Sequence, residues 1–115
     1  MSPTAIVVLL MALAGIVYML MTMRPDLKAE EARRLVAAGA RLVDVRTPGE
    51  FASGHIPGAL NLPLDALGRR LAELGPKDGE IILYCASGAR SGQAKRALRA
   101  QGFVNARNLG PMSAW

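Results

Sequence analysis

The sequence predicts an α/β domain with a small, mainly parallel sheet flanked by helices in three layers, preceded by one transmembrane helix. Three observations carry this prediction. The chain opens on a long uncharged apolar stretch. Amphipathic helical segments then alternate with short strand-like runs, the signature of strand–helix–strand units. A glycine follows each helical segment, where a left-handed residue ends a helix.

Met1 to Met23 carries no charged side chain, and Ala5 to Met23 is an apolar run of 19 residues. At about 1.5 Å per residue this nearly matches the roughly 30 Å hydrocarbon core of a bilayer. A soluble helix of this length would show a polar face, and this one shows none. Ala12-Leu13-Ala14 suggests a cleavable signal peptide instead. However, no basic residue precedes the run, and the hydrophobicity continues past that point, so the segment reads as a retained anchor, 1–23, ahead of a domain at 24–115. The stub Met1 to Thr4 has no Lys or Arg, whereas Arg24, Lys28, Arg33 and Arg34 follow the span. That asymmetry predicts a single-pass protein with its domain facing the cytoplasm, the acidic Asp26, Glu30 and Glu31 counting little.

Helical periodicity appears at Lys28 to Ala38 (Ala29, Ala32, Leu35 and Val36 on one face), at Leu64 to Leu74 and at Gln93 to Gln101. Gly39, Gly75 and Gly102 follow these three segments. Lys28 stands where a capping Ser or Thr is preferred, so the first of them should fray. Strand-like runs lie at Arg41 to Val45, Ala59 to Leu62, Glu80 to Tyr84 and Phe103 to Asn105. In parallel sheets the functional loops gather at the carboxyl ends of the strands, where both Asp44-Val45-Arg46 and Cys85 fall.

The 115 − 23 = 92 residues behind the span suffice for one core. A single cysteine excludes an intramolecular disulfide, and one cysteine with one distant histidine supplies no zinc site of the usual kind. No metal or organic cofactor is implied. The net charge of +5 resides in the domain, but Phe51, Tyr84, Phe103 and Trp115 do not lie among clustered basic residues. A nucleic-acid stacking surface is therefore not expected.

The chemistry concentrates at Cys85-Ala86-Ser87-Gly88-Ala89-Arg90-Ser91. A thiol between a strand end and a helix N-terminus meets converging N–H groups and a positive dipole, which favour the thiolate. A lone cysteine without such surroundings would more often be a small buried apolar residue. Gly88 supplies backbone freedom for the turn. Ser91 is placed to cap the following helix, and its hydroxyl could alternatively donate to the sulfur. Arg90 adds a permanent cation.

These residues resemble those of the rhodanese (sulfurtransferase) family. So do Asp44-Val45-Arg46-Thr47-Pro48-Gly49-Glu50-Phe51, Gly54-His55-Ile56-Pro57-Gly58-Ala59 and the ending from Asn108-Leu109-Gly110 to Ala114-Trp115. The blocks occur in the expected order over Leu27 to Trp115. The resemblance implies a rhodanese-like fold and a Cys85 persulfide that carries sulfur from a donor such as thiosulfate to cyanide, a thiol or a protein acceptor. It implies that Ala86 to Ser91 form the substrate-binding loop, with Asp44, Arg46 and Glu50 as supporting residues. His55 falls in a structural turn and is not needed as a base. Arg90 has two readings, a clamp on thiosulfate oxygens or a carboxylate-paired brace. Cysteine phosphatases place five residues between cysteine and arginine; here four intervene, which disfavours phosphatase or arsenate-reductase chemistry. A catalytically silent docking module at the membrane is the other alternative, against which Cys85, Gly88 and Arg90 argue. Pro111 stands where the family often has a second glycine, and it should force Gly110 toward extended geometry.

Overall fold

The computed structural model describes residues 1–115. Helix α1 spans Pro3–Met23, capped by the Ser2 side chain, and none of its residues is buried. Its 21 residues make it long and apolar enough to cross a bilayer. It projects from a domain whose elements follow as α2 (Ala29–Ala37), β1 (Arg41–Asp44), α3 (Pro48–Ala52), β2 (Leu60–Asn61), β3 (Ile81–Cys85), α4 (Ala89–Ala100) and β4 (Ala106–Pro111). Lys28 makes no side-chain cap to α2, as its chemistry predicts.

All three strand pairings are parallel, in the order β2-β1-β3-β4. Side chains alternate across β3, so the sheet is buried on both faces. Ile81, Leu83 and Cys85 join Leu74, Ala94, Leu98 and Phe103 in one core. Ile82 and Tyr84 join Leu27, Ala32, Leu42, Ile56 and Leu109 in the other. Helices on both faces complete the three layers.

The chain leaves β1 toward β2 and then crosses back to β3 on the other side of β1. This reversal opens a crevice between the carboxyl ends of β1 and β3, the natural ligand position in such sheets. The loops after Asp44 and Cys85 flank it.

Several elements differ from the sequence reading. Leu64 to Leu74 forms two 3₁₀ turns, Leu64–Arg69 and Leu71–Leu74, rather than one α-helix. Helix α4 starts at Ala89, four residues before Gln93. The last strand is Ala106–Pro111 instead of Phe103 to Asn105. Phe103 is buried against the core from the loop between α4 and β4. Gly110 is not extended: its φ is +95°. The β3–β4 register shifts between Leu83 and Tyr84, whose partners are Asn108 and Gly110. Leu109 is thus the extra residue of a bulge, and a left-handed glycine accommodates it. The bulge overrides the preference that Pro111 imposes on the residue before it.

Candidate active site

Cys85 closes β3 with no exposed surface. Gly88, at φ +96°, turns the chain into α4 and serves as its N-cap residue. A side chain there would be strained, so the loop can reverse this tightly only at glycine. The reversal aims backbone donors at the sulfur. Gly88 N–H donates to Sγ at 3.0 Å and Ser91 N–H at 3.4 Å. Ser91 Oγ lies 3.3 Å from Sγ.

Burial alone pushes the thiol pKa up, but the Ser91 hydroxyl and the N–H groups of Ser91, Ser87 and Gly88 outweigh it, and the net shift is downward. The early start of α4 places Ser91 inside the helix, fully buried, so the capping role is not available to it. Its hydroxyl serves the sulfur. Ala86 and Ser87 form the exposed crest of the loop, where Ser87 Oγ accepts from Ala89 N–H at 3.3 Å.

Arg90 lies in the first turn of α4 and reaches Glu50 of α3. Its Nη1 and Nη2 donate to Oε1 and Oε2 at 2.7 and 3.0 Å, filling the end of the guanidinium fork. Thr47 and Glu50 form a capping box that fixes the carboxylate from the other side. Arg90 first, then Thr47 N–H, hold the Glu50 carboxyl down at about 2. The ion pair is therefore fully formed above the ordinary carboxyl value of 4.5 and is lost only as pH falls toward 2.

Asp44 and Arg46 form a second pair. Asp44 is fully buried and Arg46 is 6% exposed. Arg46 Nε and Nη2 donate to the carboxylate at 2.7 to 3.1 Å, and Arg46 N–H adds a bond of 2.9 Å. Nη2 also donates to Gly54 O at 2.7 Å, tying β1 to the Gly54–Ala59 turn. Tyr84 Oη accepts from Ile56 N–H in the same turn, and burial pushes its pKa up to about 12. His55 stacks on Phe51 with ring centroids 3.6 Å apart, and its Nδ1 contacts Phe51 O. It is a turn residue. Beside Arg90 an open cleft of about 430 Å³ is lined by Val45, Thr47, Pro48, Pro63, Leu64 and Asp65.

The two supporting carboxylates thus have separate partners, Asp44 with Arg46 and Glu50 with Arg90. Sequence reasoning missed Asn108, a fully buried polar residue on β4 whose Nδ2 lies 3.3 Å from Gly88 O. Its signal was an amide side chain in a segment that the topology covers on both faces.

A buried thiol under converging N–H groups at a helix start, on a parallel sheet, is an arrangement that favours the thiolate. The family profile of the Rhodanese-like domain matches residues 28–115, and the chain belongs to that family. It is 49% identical over 75 residues to a sulfurtransferase of Allochromatium vinosum, covering 64% of this chain and 69% of that one. It is 37% identical over 76 residues to the thiosulfate sulfurtransferase PspE of Escherichia coli, covering 65% and 73%. The structure is similar to the human single-domain sulfurtransferase TSTD1, with TM-score 0.68 and 34% identity over 80% of this chain and 95% of that one. Family and relatives together support sulfurtransferase activity in general.

Proposed function

We propose that this protein is a membrane-anchored sulfurtransferase that carries sulfane sulfur on Cys85. The observation that carries the reading is the set of three donors around Sγ, at 3.0, 3.3 and 3.4 Å. The Cys85 thiolate attacks the outer sulfur of thiosulfate, a sulfur–sulfur bond forms, and sulfite leaves with the electron pair of the bond that breaks. The cradle then holds the terminal persulfide anion. An acceptor nucleophile, cyanide in an assay or a thiol or protein in the cell, takes that sulfur, and Cys85 leaves as thiolate. Gly88, Ser91 and the loop stabilise the anions, while the Asp44–Arg46 and Glu50–Arg90 pairs hold the loop from the β1 side.

The anchor is part of the proposal. Helix α1 is long, uncharged and without a buried residue, and Arg24, Lys28, Arg33 and Arg34 on its carboxyl flank favour a cytoplasmic domain. Intact mass spectrometry after incubation with thiosulfate tests the reaction. A gain of one sulfur atom in the native chain and none in Cys85→Ser is expected. An unmodified native chain would instead identify a silent docking module.

A further inference from the structure

The last turn of α1 lies against the start of α4. The two helices run in opposite directions with a four-residue register, Thr22 beside Gly92 and Tyr18 beside Arg96. The Arg96 guanidinium lies 5.3 Å from the Tyr18 ring centroid, and its Nη1 is 3.3 Å from Tyr18 Oη. Small residues one turn apart allow such close approach of two helices, and Gly88 and Gly92 supply them. A Cβ at Gly92 would meet Thr22 O at 2.1 Å, whereas the nearest atom of the domain, Asn108 Nδ2, would be at 3.5 Å. A Cβ at Gly88 would meet Met23 O at 2.7 Å.

Unsatisfied carbonyls end every helix, and here they crowd against another carbonyl, that of Gly88. Gly88 O accepts from Gly92 N–H at 2.9 Å, and one side-chain donor sits among all four carbonyls. Asn108 Nδ2 is 3.3 Å from Gly88 O, 3.4 Å from Thr22 O and Arg24 O, and 3.5 Å from Met23 O. Asn108 Oδ1 accepts from Gly110 N–H at 2.8 Å, which fixes the amide's orientation. Asp26 pins the same junction. Its carboxylate accepts from Asn108 N–H and from Lys95 Nζ, both at 2.7 Å, and its N–H donates to Asn108 O at 2.7 Å.

We infer that the carboxyl end of α1 is a built wall of the sulfur cradle, with Asn108 as the positioning residue that couples it to Gly88. Gly88 N–H is the shortest donor to Cys85 Sγ, so whatever holds Gly88 sets how well that donor is aimed. The helix that reads as an anchor thus also tunes the nucleophile. The inference takes Cys85 as the nucleophile of the proposed function, but it does not depend on the sulfur donor.

The test uses the full-length chain in detergent or nanodiscs, with iodoacetamide alkylation of Cys85 followed against pH. Gly92→Ala has room within the domain and collides only with α1, so it displaces the helix end. Asn108→Ala removes the shared donor. The charged groups around the site, Arg90 on α4, Glu50 on α3, and Asp44 with Arg46 at the end of β1, are unaltered in both. A loosened Gly88 N–H should raise the alkylation midpoint by about half a unit to one unit in each variant. Gly15→Ala, where a Cβ meets nothing within 4 Å, should leave it unchanged. An unshifted or lowered midpoint in folded Gly92→Ala overturns the inference. So does failure of Gly92→Ala to fold, because the methyl group then disrupts more than the helix end. If Asn108→Ala does not fold, Gly92→Ala decides alone. A raised midpoint without sulfur gain from thiosulfate would sink the proposed reaction and leave this coupling standing.

Discussion

Replacing Ser91 by alanine should slow Cys85 below its titration midpoint and accelerate it above. The Ser91 hydroxyl, 3.3 Å from Sγ, is foremost among the groups that lower the thiol pKa against the opposing effect of burial. A hydrogen bond to an ionised group contributes about 1.5–3 kcal/mol. Gly88 and Ser91 N–H remain in Ser91→Ala and take up part of the charge, so the low end applies. About 1.4 kcal/mol corresponds to a rise of roughly one pKa unit. Well below the midpoint the thiolate fraction then falls about tenfold, while the more basic thiolate is about threefold more nucleophilic, for a Brønsted slope of 0.4–0.5. Reaction with a small aromatic disulfide, followed by stopped flow against pH across both midpoints, should therefore be about threefold slower well below them. Above both midpoints it should be about threefold faster. The two rate profiles cross. Slower reaction at every pH with an unmoved midpoint would mean that Ser91 governs access rather than charge, and would refute the reasoning.

Arg90→Lys should lower kcat/KM for thiosulfate and for a neutral sulfane donor by similar factors, about two- to fivefold, because Glu50 already fills the fork and the pair is one-third exposed. A rise in KM confined to thiosulfate would make Arg90 a substrate ligand. The full-length chain should stay with membranes through carbonate extraction, and protease added outside intact cells should spare the domain. A soluble extracytoplasmic form beginning near Gly15 would show that the apolar segment is a cleaved signal.

The alternation of strands and helices, the apolar helix and the position of the thiol were legible in the chain alone. These are local properties. Periodicity marked the first strand within one residue of β1, and the four-residue spacing from Cys85 to Arg90 defined a short loop at a strand end. Local signals also misled. Leucines at Leu64, Leu67, Leu71 and Leu74 suit three residues per turn nearly as well as 3.6, so two 3₁₀ turns read as one helix. Phe103-Val104 has strand propensity, but Phe103 packs into the core from the loop between α4 and β4 and Val104 is exposed. Ala106–Pro111, with glycine and proline, is a strand because β3 pairs with it. The surroundings of the thiol depend on contacts between elements distant in the chain. Ser91 faces the sulfur because α4 begins at Ala89, which depends on Gly88 adopting a positive φ. Glu50 meets Arg90 across 40 residues of sequence because β1 and β3 lie side by side. Asn108 reaches Gly88 because β4 pairs with β3, which sets Asn108 opposite Leu83, two residues before the thiol. Contacts of that range leave no period or composition in the chain, since they exist only once the sheet has brought its strand ends together.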